Sequence, residues 1–333
     1  MSTDQIFIRK NRELGPNDRA FSLAWFYAII ETMKIYDLII VGAGPAGISA
    51  GIYAKNFGLD CLIIGEEKGG LINTAYKVEN YPGIFGISGK ELSKRFIAHQ
   101  KHSKIPFKKE RAEKIIKTEG SFRILTSKDS HQAKAIILAF GTEFKKLDIK
   151  NVDKFKGKGV SYRSDDSAFL FKNRSVAVIG GANAAAMSAM KISEKAKRVY
   201  IIYRKEKLRA DAIWVSRINK TKNIEVIYNA NVVGLKGKDR LEKIFLDNKK
   251  ELEVNSLLVE AGYAPNTYLI HDSGITIDEK GYIKTEKDQS TNISGIFAAG
   301  DITTGSNEFR QIITAAAEGA IAALGALNYL NKK

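Results

Sequence analysis

The sequence predicts an α/β fold built on two Rossmann-like nucleotide-binding domains, and three features predict it. Ile35–Val41 (IYDLIIV) has the Ile/Val-rich pattern of a buried parallel strand and runs directly into a glycine loop and a helix. The same order recurs from Ser175 onwards. Near the C-terminus, a short apolar strand ends in Gly300-Asp301 and precedes a long alanine-rich helix. A length of 333 residues suits two domains of about 150 residues each.

Residues 1–32 differ from the rest of the chain, being polar and charged up to Arg19 and apolar from Phe21 to Ile30. Basic residues precede that apolar stretch, yet Glu31-Thr32-Met33 offers no small-residue cleavage site for a secretory signal. Met33 stands just before the first strand, so 1–32 is read as an N-terminal extension. The alternatives are a surface-packed helix or a weak membrane-surface anchor. No run approaches the roughly 18 apolar residues of a membrane span, the longest being Ala20–Ile30, which Ser22 interrupts. A cytoplasmic location is expected.

After the first strand comes Gly42-Ala43-Gly44-Pro45-Ala46-Gly47, then a helix through about Phe57 and a second strand, Asp60–Ile64. Gly42 permits the tight turn, Gly44 lets a pyrophosphate approach the backbone, and Gly47 lets the helix pack on the strand. The helix N-terminus, at Pro45 and Ala46, then offers free N–H groups to phosphates. Glu66 or Glu67, just past the second strand, is the candidate for an adenosine ribose. Gly47–Gly51 also fits G-x-S-x-G, but Ser49 lies inside the helix rather than on the strand-to-helix turn, which excludes a nucleophile elbow.

The second unit runs from strand Ser175–Ile179 through Gly180-Gly181-Ala182-Asn183-Ala184 into a small-residue helix ending near Lys195, then strand Arg198–Ile202. That strand ends in Tyr203-Arg204-Lys205, with Arg209 close behind. An acid there would accept a ribose 2′-hydroxyl, whereas arginines suit a 2′-phosphate, so NADPH is expected over NADH. The third unit is Ser294–Asp301 (SGIFAAGD), then Arg310-Gln311 opening a helix from Ile312 to about Leu330.

With these residues in order, the chain resembles the low-molecular-weight thioredoxin reductases. The resemblance is carried by GAGPAG (42–47), GEEKGG (65–70), VENYPG (78–83), FKGKGVSY (155–162), VIGGANAA (178–185), YRKEKLRA (203–210), GYAPNT (262–267) and GIFAAGD with RQIITAA (295–316). It implies a FAD domain in two segments, 33–145 and 261–333, with an NADPH domain, 146–260, inserted at hinges near 144–146 and 260–262. It places Asp301 on the ribityl chain and Arg310, Gln311 and Ile312 beside the flavin ring edge. Gly70, Leu71 (replacing the family's usual glutamine) and Asn80 are placed at the flavin. The cofactors implied are FAD and NADPH, and the assembly implied is a homodimer.

One departure decides the chemistry. Where thioredoxin reductases carry C-x-x-C, this chain has Arg163 and Asp166, and disulfide exchange requires a thiolate. The single cysteine, Cys61, falls within an apolar strand, so an intramolecular disulfide, a dithiol centre and a cysteine-based zinc site are all excluded. Four scattered histidines make no metal site. The chain therefore resembles the dithiol-less ferredoxin–NADP+ reductases of this family, although it ends at Tyr329-Leu330-Asn331-Lys332-Lys333 as ordinary thioredoxin reductases do. No catalytic group beyond the flavin is expected. A net charge of +16 favours an acidic partner such as ferredoxin. The competing readings are an NAD(P)H oxidase or diaphorase that reduces oxygen or quinones, and a flavin-bound protein without a redox partner. Basic residues are spread along the chain rather than gathered with aromatic platforms, which disfavours nucleic acid as a partner. The basic stretch Lys101–Arg111, with His99 and His102, reads as a solvated face.

Overall fold

The computed structural model describes residues 34–145, 147–162, 171–271 and 273–332. The extension 1–32 and the Arg163 and Asp166 positions lie outside the described residues. In chain order the elements begin with β1 (Ile35–Val41), α1 (Pro45–Asn56), β2 (Cys61–Gly65), α2 (Gly89–His102), β3 (Phe107–Lys109), β4 (Ala112–Thr118), β5 (Ser121–Thr126), β6 (Ser130–Leu138) and β7 (Thr142–Phe144). Next come β8 (Val160–Ser161), β9 (Ser175–Ile179), α3 (Asn183–Ser193), β10 (Arg198–Ile202), α4 (Ala212–Asn219), β11 (Ile224–Ile227), β12 (Val232–Lys236), β13 (Lys243–Leu246), β14 (Glu251–Glu253), β15 (Ser256–Val259) and β16 (Tyr263–Pro265). The chain closes with β17 (Ile296–Ala298) and α5 (Ile312–Leu330).

These elements form two compact units. One holds the chain up to Ile72, Leu92–Thr142 and everything from Pro265; the other holds Asn73–Glu91 and Glu143–Ala264. The expected α/β class with two Rossmann-like domains, one interrupting the other in sequence, is what the structure has.

The first unit is built on a sheet of order β3-β2-β1-β6-β5-β4, with β17 also paired to β6. β1 is central, parallel to both β2 and β6, and Leu38, Ile39 and Ile40 are fully buried because both sheet faces are covered. One apolar layer lies between the sheet and α1 with α5; the other lies on the opposite face. α1 and α5 touch at their smallest residues. A Cβ on Gly319 would stand 2.1 Å from the Ala46 carbonyl oxygen, so only glycine permits this backbone approach. α2 starts at a side-chain cap, with the Glu91 N–H donating to Ser88 Oγ at 3.2 Å.

No continuous apolar run reaches membrane-spanning length, yet α5 is long and apolar enough by length and composition. Its alanines do not read as a continuous apolar run because Thr314, Glu318 and Asn328 interrupt them. The face bearing Ala315, Glu318, Gly319, Ala322, Ala323 and Ala326 is buried within the first unit. A helix apolar enough to cross a bilayer thus serves here as a core helix.

The second unit is a parallel sheet of order β11-β10-β9-β15-β8, with α3 and α4 packed through Ala185, Ala189, Ile192, Trp214 and Ile218. An antiparallel meander, β12-β13-β14, adjoins it. β7 and β16 pair in a two-stranded ribbon, beside which the Lys145 N–H donates to the Gly262 carbonyl at 3.0 Å.

A buried pair ties β6 to the chain between β3 and β4. His131 Nε2 and Thr126 Oγ1 each lie 2.8 Å from Glu110 Oε2, with Glu110 7% exposed. Burial pushes the Glu110 carboxyl up, but these two hydrogen bonds together with the electrostatic attraction of His131 and Lys108 outweigh it and hold the group below the ordinary carboxylate range. A carboxyl lowered by folding adds stability above its unfolded pKa, about 4.3, and that stability is lost as pH falls through the folded value. Glu110→Gln is therefore expected to cost about 1–3 kcal/mol at pH 7 and much less at pH 3. Denaturant unfolding at both pH values checks this, and an equal cost at both would show that the ionised carboxylate contributes nothing.

Candidate functional site

The first cluster forms around the N-terminus of α1. Gly42 adopts φ +118°, and a Cβ there would meet the Ala139 carbonyl oxygen at 2.1 Å. Gly44 caps the helix, Pro45 fills its first turn, and a Cβ on Gly44 would meet nothing within 4 Å. The loop after β2 folds over this turn, with the Gly69 N–H donating to the Ala43 carbonyl at 2.7 Å. That contact brings Gly70 within 3.3 Å of the Gly44 Cα, measured from an ideal Cβ. Glu66 stands exposed at the end of β2.

The C-terminal strand joins this cluster. A Cβ on Gly300 would lie 2.9 Å from the Ala46 Cβ, so Asp301 follows directly beside the first turn of α1. Burial pushes the Asp301 carboxyl up to about 6, although the Arg310 guanidinium pulls it down. Its carboxylate oxygens have no hydrogen-bond partner among the described residues. Arg310 itself is committed elsewhere. Its Nε and Nη2 donate to the Asp301 and Thr303 carbonyls at 3.2 and 3.3 Å, and its guanidinium lies 3.8 Å from the centre of the Tyr282 ring. Gln311 caps α5 in a reciprocal capping box with Thr314, and Ile312 is the first helical residue.

Sequence reasoning missed what holds this loop. Glu318, 4% exposed, accepts from the Gly300 N–H at 2.7 Å, Thr303 Oγ1 at 3.0 Å and Ser306 Oγ at 2.5 Å. Ser306, Asn307 and Glu308 all sit in the left-handed region, a conformation that costs on the order of 1–3 kcal/mol per residue and persists only where its surroundings impose it. Glu318 supplies part of that imposition. A signal for it exists in the sequence: it is the only charged residue between Ile312 and Leu330.

The second cluster forms in the other unit, at the C-terminal ends of β9, β10 and β15. Gly180 adopts φ +140°, and the Tyr203 ring packs on Gly181 so closely that a Cβ would be 2.4 Å from it. Ala182 caps α3, and Asn183 and Ala184 open it. The Arg209 N–H donates to the Gly181 carbonyl at 2.7 Å, and the Asn183 side chain both accepts from the Asp211 N–H at 2.8 Å and donates to its carboxylate at 2.9 Å. The loop after β10 is thereby tied to the glycine loop. Arg204, Lys205 and Arg209 are exposed on it and make no ion pair among the described residues.

The structure thus brings Gly42, Gly44, Pro45, Ala46, Gly70 and Asp301, with Arg310, Gln311 and Ile312 near them, into one group. It brings Gly181, Ala182, Asn183, Ala184, Arg204, Lys205 and Arg209 into another. Leu71 lies in the 3-10 turn Gly70–Thr74 beside the first group. Asn80 belongs to the second unit and is exposed. Cys61 is fully buried in β2, and burial pushes its thiol up to about 11.

Two dinucleotide loops of this construction, each on its own Rossmann-like unit, define an oxidoreductase with two nucleotide sites. The family model for pyridine nucleotide-disulphide oxidoreductases matches residues 36–319. The chain belongs to that family, and within it to the low-molecular-weight thioredoxin-reductase-like group. It is 36% identical to a thioredoxin reductase of Borreliella burgdorferi over 89% of this chain and 92% of that one. The thioredoxin reductase structure from Lactococcus lactis superposes with a TM-score of 0.86 at 31% identity, covering 90% of this chain and all of that one. A ferredoxin-flavin thioredoxin reductase from Clostridium acetobutylicum matches with a TM-score of 0.51 at 31% identity, covering 90% of this chain and 100% of that one.

Proposed function

We propose that this protein is a FAD enzyme exchanging electrons between NADP(H) and ferredoxin without a redox-active disulfide, working as a homodimer. The observation that carries this reading is that both nucleotide clusters are built while the only thiol in the chain is buried in β2. The residues of the first cluster fit a flavin dinucleotide. The open space at Gly44 admits a pyrophosphate to the helix N-terminus, and the unpartnered Asp301 carboxylate suits the hydroxyls of a ribityl chain. When bound, the flavin supplies acceptance of two electrons from a reduced nicotinamide and their release singly or together. The protein's part is to hold and orient. Arg310 fixes the Asp301 backbone, Glu318 fixes the turn around it, and the N-terminus of α5 offers N–H groups and a positive dipole end. In the second cluster, Arg204, Lys205 and Arg209 suit a 2′-phosphate.

Ferredoxin as partner is supported by the net charge of +16, which would steer an acidic protein, and by a structural neighbour described as a ferredoxin-flavin thioredoxin reductase. Dithionite titration of the purified protein is expected to consume one two-electron equivalent per flavin, because no second redox centre follows. Ferredoxin reduction by NADPH is expected to slow steeply with salt, as screening lengths shrink from about 30 Å at 0.01 M to about 10 Å at 0.1 M. Oxygen reduction is expected to be nearly salt-independent. Rates with ferredoxin, oxygen and quinone measured side by side check this. If ferredoxin is slower than oxygen at every salt concentration, the ferredoxin reading is lost to an oxidase.

A further inference from the structure

The strand β15 is buried along its whole length, and the residue that follows it is a glutamate. The Glu260 N–H donates to the Ile179 carbonyl at 2.8 Å. Its own carbonyl oxygen would stand 2.4 Å from a Cβ on Gly180. The Glu260 backbone is therefore pressed against the first glycine of the second nucleotide loop. Its side chain turns to α3, where Ser188 Oγ donates to Oε1 at 2.7 Å. Oε2 has no partner among the described residues. Burial pushes this carboxyl up to about 7, with the Ser188 hydroxyl pulling weakly the other way. A half-satisfied carboxyl in such a place is costly to keep, and groups of this kind gather at functional sites.

The sheet order says which part of a ligand it would meet. In β11-β10-β9-β15-β8 the chain goes from β9 to β10 on one side and returns to β15 on the other, so the crevice between β9 and β15 is the topological switch point. A dinucleotide lies across that point with its pyrophosphate at the N-terminus of α3. Its adenosine half lies over the end of β10, where Arg204, Lys205 and Arg209 stand. The other half must then cross to the end of β15, where Glu260 stands.

We propose that Glu260 binds the carboxamide of the nicotinamide ring and so sets the orientation of that ring, an inference resting on the reading of the second unit as an NADP(H) domain. The chemistry matches in either protonation state. A carboxylate accepts from the amide NH2, and a carboxylic acid donates to the amide oxygen. Ser188 holds one oxygen and leaves the other for the ligand.

The test is equilibrium binding of NADP+ and of 2′,5′-ADP, which lacks the nicotinamide, measured by titration calorimetry on the purified protein. Glu260→Ala is expected to weaken NADP+ about tenfold while leaving 2′,5′-ADP within about twofold, the loss of one hydrogen bond to a charged group. Glu260→Gln, which keeps a donor and an acceptor, is expected to retain most of the NADP+ affinity. Unchanged 2′,5′-ADP binding also shows that the variant is folded. Equal weakening of both ligands would assign Glu260 a structural role, and unaltered NADP+ binding would remove it from the site; either overturns the proposal while the domain reading stands. If the wild-type protein binds neither ligand, the domain reading fails and the proposal falls with it.

Discussion

Gly44→Ala protein is expected to fold nearly as well as the wild type yet to be purified with little flavin, while Gly47→Ala is expected to be poorly folded. Both are glycines of one loop, and the structure separates their tasks. A methyl group on Gly44 meets no protein atom within 4 Å, and the residue sits at φ −80°, which alanine tolerates. Its cost to the helix cap should not exceed about 1 kcal/mol. That methyl would instead fill the space through which a pyrophosphate approaches. Overpacking of this kind costs about 1–3 kcal/mol, or roughly ten- to a hundred-fold in FAD affinity. A methyl on Gly47 would stand 1.9 Å from the Gly42 carbonyl oxygen, so α1 must move off β1, a loss of about 3 kcal/mol in stability. Thermal unfolding and the flavin released on denaturation measure the two effects. A Gly44→Ala protein carrying full flavin would show that the first loop does not hold the pyrophosphate.

Arg204→Ala is expected to weaken NADPH about ten- to a hundred-fold and to leave NADH nearly unchanged, since one charge-assisted hydrogen bond contributes roughly 1.5–3 kcal/mol. The side chain is exposed and makes no ion pair among the described residues, so its removal should not disturb the fold. The loop stays in place through two other bonds, the Arg209 N–H to the Gly181 carbonyl and the Asp211 N–H to the Asn183 side-chain oxygen. Dissociation constants for both cofactors decide the matter, and an equal loss for both would make the arginine structural rather than selective.

The two strand–loop–helix–strand units were legible from the residues alone, and β1, β9 and β10 begin and end at the residues expected. The reason is that these signals are local. An Ile/Val run, a glycine that must take a positive φ and a helix beginning within a few residues need no distant partner to be recognised. The absence of a dithiol was equally legible, because a reaction that requires a thiolate is excluded by residue type alone. The remaining contacts emerged from the packing of the folded chain. It showed that Arg310 is spent on the Asp301 and Thr303 carbonyls, that Glu318 anchors the turn before α5, and that Glu260 stands against Gly180. Each depends on residues that are far apart in sequence, such as Gly300 and Ala46, meeting at van der Waals distance. Which oxygen a side chain reaches, and whether burial raises its pKa, follows from that packing rather than from any spacing along the chain.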